Sequence, residues 1–191
     1  PLPGEDTGES ILCDGCMTVA RPWDRGRAAM LYKDNGRKLV LAFKHGDRLD
    51  LAMPAGQWLA RAAEPILTPN TLIAPVPLHW MRLLKRRYNQ SALLATGLGK
   101  ATRNSVCLDL LSRVKRTRSL DGLSADARFE MLSKSIKVNP KRRHRLIGRS
   151  VLLVDDVMTS GATLAACTEA CLAAGADKVF AVTLARVAKD V

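Results

Sequence analysis

The run Val151-Leu152-Leu153-Val154 constrains the fold more than any other part of the chain, because four adjacent aliphatic residues leave a strand no polar face. A strand with one wet side alternates apolar and polar residues. A strand that is apolar throughout is covered on both sides, as in a parallel sheet flanked by helices. Asp155 and Asp156 follow, where this strand is expected to end, and the turn Thr159-Ser160-Gly161-Ala162-Thr163 then opens an apolar-periodic helix from Leu164 to Ala174. That order gathers carboxylates, hydroxyls and unpaired N–H groups at the carboxyl end of a strand, where open α/β sheets bind ligands. A helix N-terminus suits a phosphate, and carboxylates accept hydrogen bonds from sugar hydroxyls. Together they describe a site for a ribose 5-phosphate group. The plainer alternative is a buried strand and a capped helix whose acids only solubilise the turn. The length of the combined pattern favours binding. No Gly-x-x-x-x-Gly-Lys-Ser/Thr motif competes with it, and Gly97-Leu98-Gly99-Lys100 lies within a helical pattern.

The other elements support an α/β arrangement. A strand is expected over Arg27–Tyr32, a turn over Lys33–Gly36, and helices over Arg37–Lys44 and Arg48–Ala63, with Met53-Pro54 as a break or start. Thr71–Val76 reads as a buried strand whose Pro75-Val76-Pro77 end supports few ladder hydrogen bonds. Asn89–Arg103 reads as a helix with Asn89 at its cap, Leu108–Val114 and Ser135–Val138 as strands, Lys141–Arg149 as a basic connector, and Lys178–Ala185 as the closing strand. Lys115–Ser124 has no apolar period and reads as an exposed loop, with a helix over Ala125–Leu132 after it. Strands alternating with helices indicate a doubly wound parallel sheet. With 191 residues, 47% hydrophobic and only 4% aromatic, the chain fits one domain with an aliphatic core.

The net charge of +12 is uneven: residues 82–149 hold 18 Lys/Arg against 4 Asp/Glu, or +14, and the rest holds 12 against 14, or −2. Such asymmetry attracts polyanions, and a pyrophosphate-bearing substrate and a nucleic acid both qualify. No apolar run approaches the roughly 18 residues that span a bilayer, so no membrane insertion is expected. Pro1-Leu2-Pro3-Gly4, leading into acidic residues, lacks the pattern of a signal peptide. Five cysteines, Cys13, Cys16, Cys107, Cys167 and Cys171, form no regular framework and are expected as free thiols in a cytoplasmic protein.

The stretch from Val151 to Thr163 resembles the signature of the type I phosphoribosyltransferases, which use 5-phosphoribosyl-1-pyrophosphate (PRPP). Pro75-Val76-Pro77-Leu78 followed by Arg86-Arg87-Tyr88-Asn89-Gln90 more narrowly resembles the ComF family, phosphoribosyltransferase-like proteins linked to competence and DNA uptake. That family typically has Arg-Gly-Phe-Asn-Gln, so Arg87 and Tyr88 depart from it while the aromatic and Asn-Gln are kept. The resemblance extends over residues 13 to 187 and includes Ala42-Phe43-Lys44-His45-Gly46-Asp47-Arg48.

It implies a type I phosphoribosyltransferase-like α/β fold: a parallel twisted sheet with helices on both faces and a small hood. Residues 1–26 form an N-terminal segment and 27–191 the main domain. The implied reaction is transfer of phosphoribose from PRPP and Mg²⁺ to an unknown nitrogenous acceptor, with release of pyrophosphate. Asp155 and Asp156 would hold the ribose hydroxyls. Val157, Met158, Thr159, Ser160, Gly161, Ala162 and Thr163 would take the 5′-phosphate, and Pro77, Leu78, Arg82, Arg86 and Arg87 the pyrophosphate. Arg113 to Arg128 corresponds to a mobile lid, and Arg116 within it is a candidate catalytic residue. Leu120 and Asp121 stand where relatives often carry Gln, which argues against a catalytic contact from those two positions. Residues 29–50 would build the hood, with His45 as a candidate base or a structural residue. A homo-oligomer remains compatible with all of this. The rival reading is a non-catalytic accessory of DNA uptake that keeps the fold and binds single-stranded DNA.

Cys13-Asp14-Gly15-Cys16 has the spacing of two thiolates on one Zn²⁺, and a structural zinc site takes four ligands. Members of the resembled family often carry two such knuckles, and this chain begins at Pro1 without Met. The expectation is therefore that Cys13 and Cys16 are the second pair and that the first lies upstream. Metal analysis of residues 1–191 should find far less than one zinc per chain. A stoichiometric zinc would show that all four ligands lie within these residues.

Overall fold

A computed structural model of the chain describes residues 21–45, 48–78, 88–114 and 135–187. The main sheet contains β1 (Arg25–Leu31), β2 (Leu72–Pro75), β5 (Ser150–Met158) and β6 (Lys178–Arg186) in the order β1-β6-β5-β2, all parallel. Val106 adds a parallel bridge to Ile73 on the outer side of β2. A separate antiparallel pair joins β3 (Leu111–Arg113) to β4 (Ile136–Val138). The helices are α1 (Asp34–His45), α2 (Ala52–Ala63), α3 (Gln90–Thr102) and α4 (Ala162–Ala173).

Val151, Leu152, Leu153 and Val154 are each fully buried. Val151 and Leu153 pack with Leu164, Cys167 and Cys171 of α4, while Leu152 and Val154 pack with Phe43, Leu59, Leu94 and Leu98 of α1–α3. The period-two alternation of a strand thus feeds two apolar layers at once. That is why β5 reads as continuously hydrophobic.

β5 does not end at the acids: its pairing with β6 continues to Met158 opposite Arg186, so Asp155 and Asp156 lie inside the strand. Ladder hydrogen bonds of the backbone are indifferent to side-chain polarity, so the neighbouring strand carries β5 beyond its apolar run. Three other expectations shift. α1 begins within the expected turn, at Asp34, whose φ of 46° is left-handed. The strand expected over Leu108–Val114 shortens to β3 because Leu108 and Asp109 form a turn, with the Leu110 N–H bonded to the Cys107 carbonyl at 3.4 Å. The basic connector contains a 3-10 helix, Pro140–Arg145, capped by the Asn139 carboxamide on the Lys141 N–H at 3.1 Å. Lys141, Arg142, Arg143 and His144 are exposed there. This segment leads into the amino end of β5, a nine-residue strand, and so lies roughly 25 Å along the sheet from Met158 at about 3.3 Å per residue.

α2 and α3 touch through glycine. A Cβ built on Gly56 would fall 2.5 Å from the Gly97 carbonyl carbon and 2.9 Å from the Leu98 nitrogen. These are backbone atoms, so a side chain would push whole helices apart. Gly56→Ala should therefore destabilise the protein by about 1–3 kcal/mol or more, seen as a lower urea midpoint. An unchanged midpoint would show that the helices separate at no cost.

Candidate active site

Three elements meet at the carboxyl end of β5. α3 starts where Asn89 caps it, its side-chain oxygen accepting from the Ser91 N–H at 3.1 Å while its amide nitrogen donates to the Val76 carbonyl at 3.1 Å. The cap therefore ties the helix to the end of β2. Ser91, buried in the first turn of α3, donates its hydroxyl hydrogen to Asp155 Oδ1 at 3.0 Å, and the Asp156 N–H donates to the same oxygen at 2.9 Å. Near the end of α1, Lys44 Nζ lies 3.1 Å from Asp156 Oδ2, in a pair largely withdrawn from water. The adjacent acids are thus held differently: Asp155 by neutral donors, Asp156 by an ammonium.

Burial pushes the Asp155 carboxyl up, to about 7, and the neighbouring Asp156 adds to the shift; the Asp156 N–H, the Ser91 hydroxyl and Lys44 oppose it. The residue as a whole keeps some accessible surface, so the effect belongs to the enclosed carboxyl. A carboxyl held off its normal range beside a cleft is characteristic of a working site.

Beyond Met158, Thr159 and Ser160 form an exposed bend, and buried Gly161 caps α4 at φ 79°. That left-handed conformation is the one glycine tolerates without strain. The first helical bond runs from the Ala165 N–H to the Gly161 carbonyl at 2.9 Å, so the N–H groups of Ala162, Thr163 and Leu164 precede it with no carbonyl partner inside the helix. Ala162 has only a long contact of 3.4 Å to Ser160 Oγ. Asp155 and residues 157–164 line a pocket of about 40 Å³. At roughly 10–15 Å³ per water, this is the scale of a single phosphate.

Of the pyrophosphate candidates, Pro77 is buried and Leu78 half-buried just beyond β2. Arg82, Arg86, Arg87, Arg116, Cys13 and Cys16 lie outside the described residues, as do the expected loop over Lys115–Ser124 and the helix over Ala125–Leu132. Residues 29–45, expected in the hood, supply the last three residues of β1 and all of α1. His45 closes that helix, and Lys44 is the group that reaches the acids. Cys167 and Cys171 are buried free thiols whose pKa values burial pushes up, to about 12 for Cys171, which makes them packing residues. The described residues contain no cluster of three metal-ligating side chains and no helix long and apolar enough to cross a membrane.

A phosphoribosyl transferase domain model matches residues 105–191, from the approach to β3 through β6 and including the acid pair and the turn. Competence protein F of Haemophilus influenzae is 28% identical over 158 residues, covering 80% of this chain and 68% of that protein. The DNA utilization protein YhgH of Escherichia coli K12 is 26% identical over 179 residues, covering 91% of this chain and 77% of that protein. The chain is similar to both of these proteins over most of its length. Among solved structures, the B. subtilis glutamine PRPP amidotransferase complexed with ADP and GMP superposes with a TM-score of 0.50 at 18% identity. An allosteric regulatory enzyme of purine biosynthesis gives 0.50 at 17%. The match covers 75% of this chain but only 30% of each of those chains, and the likeness is one of fold.

Ser91 and Lys44 are the site residues that sequence reasoning passed over. Their signals were present: Ser91 directly follows the Asn89-Gln90 pair, and Lys44 sits in the Ala42–Arg48 stretch. Only the folded sheet brings them to the acids.

The raised Asp155 pKa has a consequence for stability. The folded state keeps a proton that the unfolded chain releases near pH 4. Asp155 therefore contributes stability below about pH 4 that is lost as pH rises towards about 7, a loss on the order of a few kcal/mol. Asp155→Asn should flatten the fall in Tm between pH 4 and 7 relative to wild type in ligand-free protein. Parallel Tm curves would show that Asp155 titrates normally.

Proposed function

We propose that this chain is a phosphoribosyltransferase acting on PRPP, with Asp155 and Asp156 receiving the 2′ and 3′ hydroxyls and residues 157–163 the 5′-phosphate. The supporting observation is the acid pair, held by Ser91 and Lys44, one strand end away from a phosphate-sized pocket at a helix N-terminus. Ribose hydroxyls donate well to carboxylates, and the unpaired N–H groups at the start of α4 match a phosphate dianion. The acceptor nitrogen bonds to C1 as the C1–O bond breaks, and that electron pair leaves with pyrophosphate. Pro77 and Leu78 begin the loop that would carry the leaving group, with Arg82, Arg86 and Arg87 neutralising it. Arg116 belongs to the proposed lid. Lys44 both screens the acids from each other and gives Asp156 a partner while the ribose is absent.

The donor set suits Mg²⁺ in the way substrate-bridged Mg²⁺ sites do: one or two carboxylates, Asp155 and Asp156, with the remaining oxygens from phosphate and sugar. When bound it would neutralise the departing pyrophosphate. Among the described residues, none near the acid pair specifies the acceptor base.

Thermal-shift titration with PRPP and Mg²⁺ tests this reading. At 100 times Kd, mass action adds about 2.7 kcal/mol, which for a chain of this size raises Tm by roughly 5–10 °C. Asp156→Asn should remove most of the shift. Wild-type protein with no shift at millimolar PRPP would refute the enzymatic reading.

A second reading, a polyanion-binding accessory of DNA uptake, is favoured by one observation, the exposed basic Pro140–Arg145 helix, and by the names of the relatives. Single-stranded DNA on that helix should bind with a log K against log salt slope of about −0.7 per phosphate. Because the helix lies at the amino end of β5, PRPP should not displace it. Competition would move the DNA to the acid-pair end of the sheet, and absence of binding at low salt would remove the DNA role.

A further inference from the structure

We propose that Arg21 and Trp23 are positioning residues for the phosphate loop, setting its affinity for the 5′-phosphate from outside the pocket. This deepens the reading of residues 157–163 given above and rests on it. Arg21 lies far from the loop in sequence, yet its Nη1 donates to the Ser160 carbonyl at 2.7 Å. Its guanidinium sits 5.6 Å from the centre of the Trp23 ring, within cation–π range. Trp23 is only 8% exposed and packs in the same apolar layer as Leu164 and Ala165 of α4.

Both side chains close on Gly161. A Cβ there would lie 2.9 Å from Trp23 Cη2 and 3.3 Å from Arg21 Nη1. Gly161 is therefore required twice, by its φ of 79° and by the indole and guanidinium against it. The segment is fixed at its other end as well. Asp24 exchanges two bonds with Val179 of β6: its N–H donates to the Val179 carbonyl at 2.8 Å, and its carboxylate accepts from the Val179 N–H at 2.9 Å. Residues 21–24 form a brace from β6 to the loop.

The physical effect follows from the planar trans peptide. The Ser160 carbonyl and the Gly161 N–H belong to one peptide unit and point in opposite directions. Holding the carbonyl on Arg21 turns that N–H away from the guanidinium and fixes its direction before any ligand arrives. The Arg21 charge also adds a positive potential beside a loop built for an anion. Both contributions act on the 5′-phosphate and leave the pyrophosphate end of the substrate untouched.

Calorimetric titrations of the 191-residue chain with ribose 5-phosphate, and separately with pyrophosphate and Mg²⁺, separate the two ends. Arg21→Gln is expected to weaken ribose 5-phosphate about tenfold, the scale of one lost charge-assisted hydrogen bond. Pyrophosphate affinity should stay within about twofold, on the same scale. Arg21→Lys, which keeps the charge and a donor, should recover most of the loss. Trp23→Phe, which shortens the wall against Gly161, should weaken ribose 5-phosphate selectively. Unchanged ribose 5-phosphate binding in both Arg21→Gln and Trp23→Phe overturns the assignment, and so does an equal loss of both ligands. Wild-type protein that binds pyrophosphate but no ribose 5-phosphate refutes the phosphate loop itself, and the assignment falls with it.

Discussion

Burial of β5 on both faces is the constraint from which the rest of the molecule follows. Val151 to Val154 cannot meet water on either side, so α4 must cover one face and α1–α3 the other. A strand enclosed in this way has outlets for polar groups only at its ends, and the acids lie towards its carboxyl end. The acid pair and the hydroxyl-rich turn stand there because they cannot stand further back along the strand. Covering the sheet and assembling the site are therefore one event: the helices that shield Leu152 and Val154 also bring Lys44 and Ser91 to the carboxylates.

The site is assembled at a cost in stability. A carboxyl enclosed beside a second one is worse off than in water, and the Ser91 hydroxyl and neighbouring N–H recover only part of that loss. Ribose hydroxyls would supply further donors to the pair. The same logic applies to the turn before α4, where N–H groups lack intrahelical partners and Gly161 holds a conformation most residues avoid. Such groups are ones that a sugar phosphate would satisfy under the proposed function.

Much of this was legible in the sequence because it depends on local pattern. Four aliphatic residues in a row signalled a doubly covered strand, Asn89 signalled a cap, and Asp155-Asp156 with the Thr159–Thr163 turn signalled a site. What escaped depends on contact between distant segments. The extension of β5 through the acids comes from its pairing with β6, which no single-strand pattern contains. Lys44 looked like one lysine among many and Ser91 like an ordinary first-turn serine. Arg21 precedes the first expected strand and belongs to no motif. Each acquires its role from a partner far away in sequence.

The β3–β4 ribbon has an implication for the chain that enters and leaves it. Arg113 faces Ile136 across the ribbon, and the Val114 N–H still reaches the Ser135 carbonyl at 2.8 Å. The two described ends, Val114 and Ser135, thus stand one hydrogen bond apart. A different length of chain between them would therefore put no tension on the ribbon. The ribbon acts as a clasp that fixes both ends of that span without drawing on the acid pair or on the turn before α4.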